Sequence, residues 1–165
     1  MRPFLIALLV LCAAAPAFGA EPTPSPTPKP KRGFATPDRA TAEAAIRFRP
    51  FVPDVEIQAT SLQPPFHGEQ ISSNEGIAYT YERAGRTWIL TQWPRNGGKL
   101  DRFGVMTDAE KSCRDSHAIG GTTKPRGIVW TTPRNLVMAL MPDGHAPRSA
   151  IIAEQRRLAR RGACR

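Results

Sequence analysis

The chain has 165 residues, with 23 Lys or Arg, 14 Asp or Glu and a formal net charge of +9 at pH 7. This length allows one domain with a substantial core. No segment beyond the N-terminal region approaches 18 consecutive apolar residues, which excludes a membrane-spanning helix from the rest of the chain. The positive balance favours anionic partners: an anionic envelope polymer, lipid head groups or an acidic protein.

Residues 1–19 have the features of a cleavable secretory signal peptide. Arg2 supplies the positive charge, and residues 4–15 form an apolar run that is long enough for a signal core and too short to span a bilayer. We predict cleavage after Gly19, with Ala17 as the alternative. Cys12 follows a leucine inside the apolar run, which disfavours lipid attachment.

Export has two consequences for the interpretation of the remaining residues. Removal of 19 residues leaves 146 with a net charge of +8, and the product would be periplasmic or secreted. This location disfavours nucleic acid as a partner.

Residues 20–35 are rich in proline and precede the folded domain, which we place at residues 36–165. Prolines at every second position from 22 to 30 exclude a helix or central strand and favour an extended polyproline II spacer. A glycosylated stalk or a recognition motif is the alternative.

The first elements of the domain are predicted to be a short helix and an edge strand. Thr36 is suited to the N-cap position and Pro37 to the first helical position, and alanines continue the pattern to Ile46. Residues 55–62 alternate loosely, as an edge strand does, and prolines end them.

A β-hairpin is the clearest local pattern. Residues 76–83 and 86–93 are rich in β-branched and aromatic side chains, with Ala84-Gly85 between them. A two-residue loop would place Tyr81 opposite Trp88 and Tyr79 opposite Leu90, on an apolar face. The other face is polar, which predicts a sheet covered on one side.

Three further elements are predicted in the second half of the chain. Thr107 and Glu110 match a capping box and predict a helix to about His117. Residues 127–131 and 135–141 form a second hairpin, whose second strand is apolar throughout and therefore central. An amphipathic helix spans about 147–161, with Gly162 as its C-cap.

Together these patterns predict the α+β class: a single domain in which two hairpins contribute to an antiparallel sheet of about five strands. Helices cover one face of this sheet, and the amphipathic helix is the last element.

The order of several strand patterns resembles a small extracytoplasmic domain of unassigned activity. The segments are Phe51-Val52-Pro53, residues 76–81, residues 88–92, Ile128-Val129-Trp130, residues 136–140 and the terminal helix. That domain occurs at the outer ends of some anti-sigma factors and envelope lipoproteins. The resemblance implies an accessory role in the envelope and no catalytic residues.

Cys113 and Cys164 are the two cysteines that would remain after export, and an even count in an oxidising compartment predicts a disulfide between them. The alternative is an enzyme. On a helix, His117 would lie one turn from Cys113 and could deprotonate it, as in a cysteine-dependent hydrolase or transferase.

Two surfaces are candidates for binding. The first is formed by the arginines of the terminal helix, Arg156, Arg157, Arg160 and Arg161, which could hold an anionic partner or could be merely solvated. The second is formed by Tyr79, Tyr81 and Trp88, which could stack on a sugar or peptide if exposed but would otherwise belong to the core. The three histidines are scattered, so no metal site or cofactor is expected. We therefore expect an exported, non-catalytic binding or accessory domain.

Overall fold

The structure is a computed structural model that describes residues 37–65, 71–98, 100, 103–108, 110–120 and 124–165. The predicted signal peptide, the proline-rich linker and Thr36 lie outside the described residues. The elements are α1 (Arg39–Ala45), β1 (Ile57–Gln63), β2 (Ile71–Ser73), β3 (Gly76–Arg83), β4 (Arg86–Gly98), β5 (His117–Ile119), β6 (Gly127–Thr131), β7 (Leu136–Pro142) and α2 (Arg148–Arg160).

Six strands form one antiparallel sheet in the order β1-β3-β4-β7-β6-β5, and the short β2 pairs with the far end of β4. The α+β class is confirmed. The strand count exceeds the predicted five because β2 and β5 have three residues each, too few to show an alternating pattern.

Both predicted hairpins are confirmed, the first of them with its predicted register. Tyr81 pairs with Trp88 and Tyr79 with Leu90, around a turn in which Ala84 and Gly85 have φ of 52° and 67°. Positive φ at both positions gives the turn the twist that two-residue hairpins require. The second hairpin joins β6 to β7, and β7 is central, between β4 and β6.

Both helices cover the same face of the sheet. Ala42 of α1 and Ile46, which directly follows the helix, form a cluster with Ile77 and Tyr79 of β3. Helix α2 packs on β6 and β7, where its buried Ile151 and Leu158 join a larger cluster containing Trp130 and Leu140. The predicted terminal helix is confirmed, and its apolar stripe provides the burial that stabilises it.

The opposite face of the sheet is not bare, which corrects the expectation of a sheet covered on one side. Leu100 packs there against Val129, Val137 and Ala139, and partly buried aromatic side chains surround this cluster. The segment that follows β4 therefore covers the β6–β7 half of the second face.

The N-terminus of α1 differs from the prediction. Asp38 is the N-cap, and its carboxylate accepts hydrogen bonds from the backbone N–H and the hydroxyl of Thr41 at 3.0 and 2.6 Å. These bonds lower the pKa of Asp38. An aspartate two residues beyond the predicted cap satisfies the same unpaired helix N–H groups.

The helix expected between Thr107 and His117 is absent from the described residues of this segment. The capping-box contact still forms, because the Glu110 carboxylate accepts from the Thr107 N–H at 2.9 Å. The same carboxylate accepts two bonds from the Arg148 guanidinium, at 2.6 and 2.8 Å. The segment is thus held to the start of α2 instead of continuing as a helix.

The Arg148 hydrogen bonds, with those from Thr107, lower the pKa of Glu110 to about 2 from a reference value of 4.5. Because the folded-state pKa is depressed, the stabilisation is complete above pH 4.5 and is lost as pH falls towards 2.

Glu110→Gln should lower stability at pH 6 and flatten the loss of stability between pH 4.5 and 2. Urea unfolding across this range measures both effects. Glu56→Gln, which removes an exposed carboxylate, is the control, and an acid profile shared by the two variants would contradict the assignment.

Cys113 and Cys164 form the predicted disulfide, with their Cα atoms 5.3 Å apart and a sequence separation of 51. Cys113 is buried in the main cluster, and Cys164 packs against its edge. The bond therefore connects the segment before β5 to the chain after α2.

Reduction of the disulfide should destabilise the fold by about 4 kcal/mol, from the entropy of a closed loop of this length. Urea unfolding with and without dithiothreitol measures this difference. The double variant Cys113→Ala/Cys164→Ala is the control, since the reductant should leave its midpoint unchanged. Equal responses of the two proteins to the reductant would refute the bond.

Candidate functional site

A cleft of about 670 Å³ opens at the end of the sheet where α1 and the chain after α2 approach the β6–β7 turn. We call it the arginine cleft. Five arginines line it: Arg39, Arg49, Arg134, Arg161 and Arg165. Phe51, Val52, Leu136 and Met138 contribute apolar surface, and Glu43 is the single acidic side chain among the lining residues.

Residues 49–52 form one wall of the cleft, and the buried amide of Gln92 holds them. The Gln92 side chain accepts a hydrogen bond from the Phe51 N–H at 2.8 Å and donates one to the Phe51 carbonyl at 2.7 Å. Pro50 and Pro53 have no backbone N–H to donate to a neighbouring strand, and residues 49–53 are not part of the sheet. A side chain of β4 takes the place of a neighbouring strand.

Residues 161–165 form the opposite wall. Gly162 has φ of 102° and ends α2, with Ala163 N–H donating to Leu158 O at 3.0 Å. The indole N–H of the fully buried Trp130 donates to the Ala163 carbonyl at 3.0 Å. With the disulfide at Cys164, these contacts fix the positions of Arg161 and Arg165.

Asp54 joins the two walls. Its carboxylate lies 2.9 Å from the Arg161 guanidinium and 3.4 Å from that of Arg83. Partial desolvation opposes ionisation of Asp54, but the positive charges of Arg161 and Arg83 outweigh it and lower its pKa. Asp54 is therefore ionised at neutral pH and offsets part of the charge of Arg161.

The β6–β7 turn forms the third side. Asn135 has φ of 58° and donates from its side chain to the Arg95 carbonyl at 2.6 Å. The Arg95 N–H in turn donates to the Asn135 carbonyl at 2.7 Å. These bonds anchor the turn and leave Arg134 at its exposed tip.

Helix α1 closes the far end. The Arg39 guanidinium donates to Glu43 at 2.7 Å, and the Tyr79 hydroxyl donates to the same carboxylate oxygen at 2.7 Å. Burial raises the pKa of Tyr79, and the bond to Glu43 raises it further. Desolvation opposes ionisation of Glu43, but the hydrogen bonds from Arg39 and Tyr79 outweigh it and lower the pKa of Glu43.

The cleft therefore carries excess positive charge. Arg49, Arg134 and Arg165 are exposed, and no carboxylate of the described residues forms an ion pair with them. Guanidinium groups stay charged at any physiological pH and fit carboxylate or phosphate bidentately. The arrangement suits binding of an anion.

The four terminal-helix arginines divide between two surfaces. Arg161 lines the cleft. Arg157 lies 3.6 Å from the carboxylate of Glu154 on the same helix, and Arg156 and Arg160 are exposed on the outward face. The sequence did not reveal Arg39, Arg49, Arg134 and Arg165 as part of the site, although Arg134 was placed in a turn.

The aromatic candidates belong to the core. Tyr79 and Tyr81 are fully buried, and Trp88 is 3% exposed. The Tyr81 hydroxyl donates to the buried Glu154 at 3.1 Å, and the Trp88 indole donates to the Arg83 carbonyl at 3.3 Å. Of the two alternatives for these side chains, the core is confirmed and the binding surface is excluded, because the two helices and residues 51–57 cover the face that they share.

The alternative of a Cys113–His117 catalytic pair is also wrong for this structure. The Cys113 sulfur is bonded to Cys164, so it is not available as a thiolate. Residues 110–117, all of them described, contain no helix that would place the two side chains one turn apart, and His117 instead begins β5 opposite Val129.

Within the described residues, no three His, Cys, Asp or Glu side chains are grouped so that they could hold a metal ion. In the same part of the chain, no helix combines the length and the apolar character needed to cross a bilayer.

Comparisons with protein-family models, curated proteins and solved structures found no match to this chain. The resemblance to an extracytoplasmic domain of anti-sigma factors stays a prediction.

Gln92→Leu should remove both hydrogen bonds to Phe51 at nearly constant volume and loosen the 49–52 wall. We expect a loss of about 1–3 kcal/mol in unfolding free energy and faster amide hydrogen exchange at Phe51. Gln58→Leu, an exposed position on β1, is the control and should stay within about 0.5 kcal/mol of the parent. Unchanged exchange at Phe51 would show that Gln92 does not hold the wall.

Proposed function

We propose that this chain is an exported, non-catalytic binding domain of the bacterial cell envelope, and that its arginine cleft holds the anionic group of an envelope component or protein partner. The observation that carries the proposal is that arginines from distant parts of the chain lie around one cleft. Five arginines from four separate segments line one concave surface, and Glu43 is the single acidic side chain in its lining.

The electrostatics of the cleft support binding in preference to a structural role. Arg39 and Arg161 pair with carboxylates in the free domain, whereas Arg49, Arg134 and Arg165 form no ion pair with the described residues. Like charges repel one another, so these three arginines do not stabilise the fold unless an anion joins them. The concave shape and the apolar side chains around it reduce solvent screening, which strengthens attraction to an anionic ligand.

The rigidity of the walls also supports the proposal. Gln92, Asp54, Trp130 and the disulfide hold segments that belong to neither helix nor strand. A binding surface whose positions are fixed before the ligand arrives loses less conformational entropy on association.

The predicted signal peptide and linker would place this domain outside the cytoplasm at some distance from the processed N-terminus. The resemblance to an extracytoplasmic domain agrees with such a role. The export of the chain and its resemblance to that domain are both parts of the proposal.

The test compares two triple variants of equal charge. Arg49→Gln/Arg134→Gln/Arg165→Gln changes the cleft, and Arg86→Gln/Arg126→Gln/Arg160→Gln changes exposed arginines elsewhere. Poly-L-glutamate is the probe, and its affinity is measured by titration calorimetry at fixed salt. At about 0.5 kcal/mol per exposed pair, the cleft variant should bind about tenfold more weakly than the parent.

The control variant should lose clearly less affinity than the cleft variant. Equal losses would mean that the probe responds to net charge alone, and the cleft would then not be the binding site. Neither set of arginines has a described ion pair or side-chain hydrogen bond, so both variants should fold.

A further inference from the structure

The positively charged concave surface continues past the β6–β7 turn. A second hollow of about 400 Å³, which we call the disulfide cleft, is lined by Arg95, Arg114, Asp115, Thr131, Thr132, Pro133 and Cys164. Its two arginines outnumber its single acidic side chain, Asp115, whose carboxylate accepts a hydrogen bond from the Thr131 hydroxyl at 3.1 Å. Thr132 lines both clefts, and Cys164 lies between Ala163 and Arg165 of the first. The two clefts are therefore neighbours separated by one turn, with arginines in each.

We propose that the two clefts together hold an extended acidic peptide segment of a partner protein. One apolar side chain of the peptide would contact Phe51 and Val52, and its carboxylates would pair with arginines on both sides of the turn. This inference rests on the proposed function and specifies the class of partner.

The apolar surface favours a peptide over a purely ionic polymer. Phe51 and Val52 are only half-buried and line the same cleft as the five arginines. An acidic peptide can cover them with an aliphatic side chain while it pairs with the guanidinium groups. A polyphosphate has no apolar group, so it would leave Phe51 and Val52 exposed to solvent and gain no free energy from their burial.

The concave shape favours a chain over a bilayer. A flat anionic membrane would meet the exposed arginines on the outward face of α2, Arg156 and Arg160, rather than groups inside a hollow. An extended peptide can follow a bent groove and reach both clefts.

The linker of this chain does not have the charge expected of the occupant. Residues 21–32 contain one glutamate and three basic residues, Lys29, Lys31 and Arg32. A segment of net positive charge does not complement the arginines of the cleft, so we assign the site to a separate acidic molecule.

The experiment uses two twelve-residue peptides in which Glu alternates with Gly, one of them with a central Leu and the other with Gly at that position. Fluorescence anisotropy with the oxidised protein measures both affinities. Burial of about half of the Leu side chain should make the Leu peptide bind about tenfold more tightly. Phe51→Ala should abolish this preference, whereas Leu62→Ala, at an exposed position on β1, should retain it.

A third peptide tests the span across the turn. It is the Leu peptide shortened to six residues. Arg114→Gln should lower the affinity for the twelve-residue Leu peptide about threefold, because one exposed ion pair is removed. The same variant should leave the affinity for the six-residue peptide unchanged, because that peptide is too short to reach both clefts. Equal sensitivity of the short and long peptides would refute the two-cleft assignment.

The remaining outcomes separate this inference from the proposed function. Equal affinity for the Leu and Gly peptides, with both weakened by the cleft triple variant, would overturn the peptide assignment and leave the anion-binding cleft intact. Peptide binding that the cleft triple variant does not weaken would overturn the proposed function itself.

Anionic vesicles provide the last comparison. Vesicles of phosphatidylcholine with phosphatidylglycerol should bind more weakly than the Leu peptide. Tighter binding to vesicles that is lost in Arg156→Gln/Arg160→Gln would overturn the peptide assignment in favour of a membrane surface.

Discussion

The attachment of residues 161–165 to the sheet is the constraint on which the candidate site depends. The Cys113–Cys164 bond and the hydrogen bond from Trp130 to the Ala163 carbonyl fix a segment that belongs to neither helix nor strand. That segment supplies two cleft arginines and part of the neighbouring hollow. The same covalent bond thus stabilises the fold by closing a long loop and builds one wall of the surface to which we assign binding.

Several buried polar side chains support segments that lack regular structure. Gln92 substitutes for a strand neighbour at Phe51, and Gln155 donates to Ser116, whose hydroxyl donates to the Cys113 carbonyl. A buried polar group is costly unless it is hydrogen-bonded, so each marks a place where the backbone needs a partner that the sheet does not provide. These partners keep the walls of the cleft in position, although regular structure in the described part of the chain is confined to the strands and two helices.

Local patterns predicted regular elements well and irregular ones poorly. The hairpin around Ala84-Gly85 was predictable with its register, because turn chemistry and alternation act over adjacent residues. The Thr107–Glu110 motif formed its local hydrogen bond but no helix followed. Glu110 pairs instead with Arg148, which is 38 residues away, and the disulfide at Cys113 holds the rest of that segment. Long-range contacts of this kind outweigh the weak preference of a short helix.

The sequence by itself determined the α+β class, the two hairpins, the terminal helix and the pairing of Cys113 with Cys164. Each follows from periodicity, turn residues or cysteine count. Only the tertiary structure decided which arginines line one cleft, since Arg39, Arg49, Arg134 and Arg161 come from segments up to 122 residues apart. It also decided that Tyr79, Tyr81 and Trp88 are core, because a strand pattern shows that one face is apolar but not what covers it. The physical reason is that a strand or helix is specified mainly by neighbouring residues, whereas a cleft is specified by the packing of distant ones.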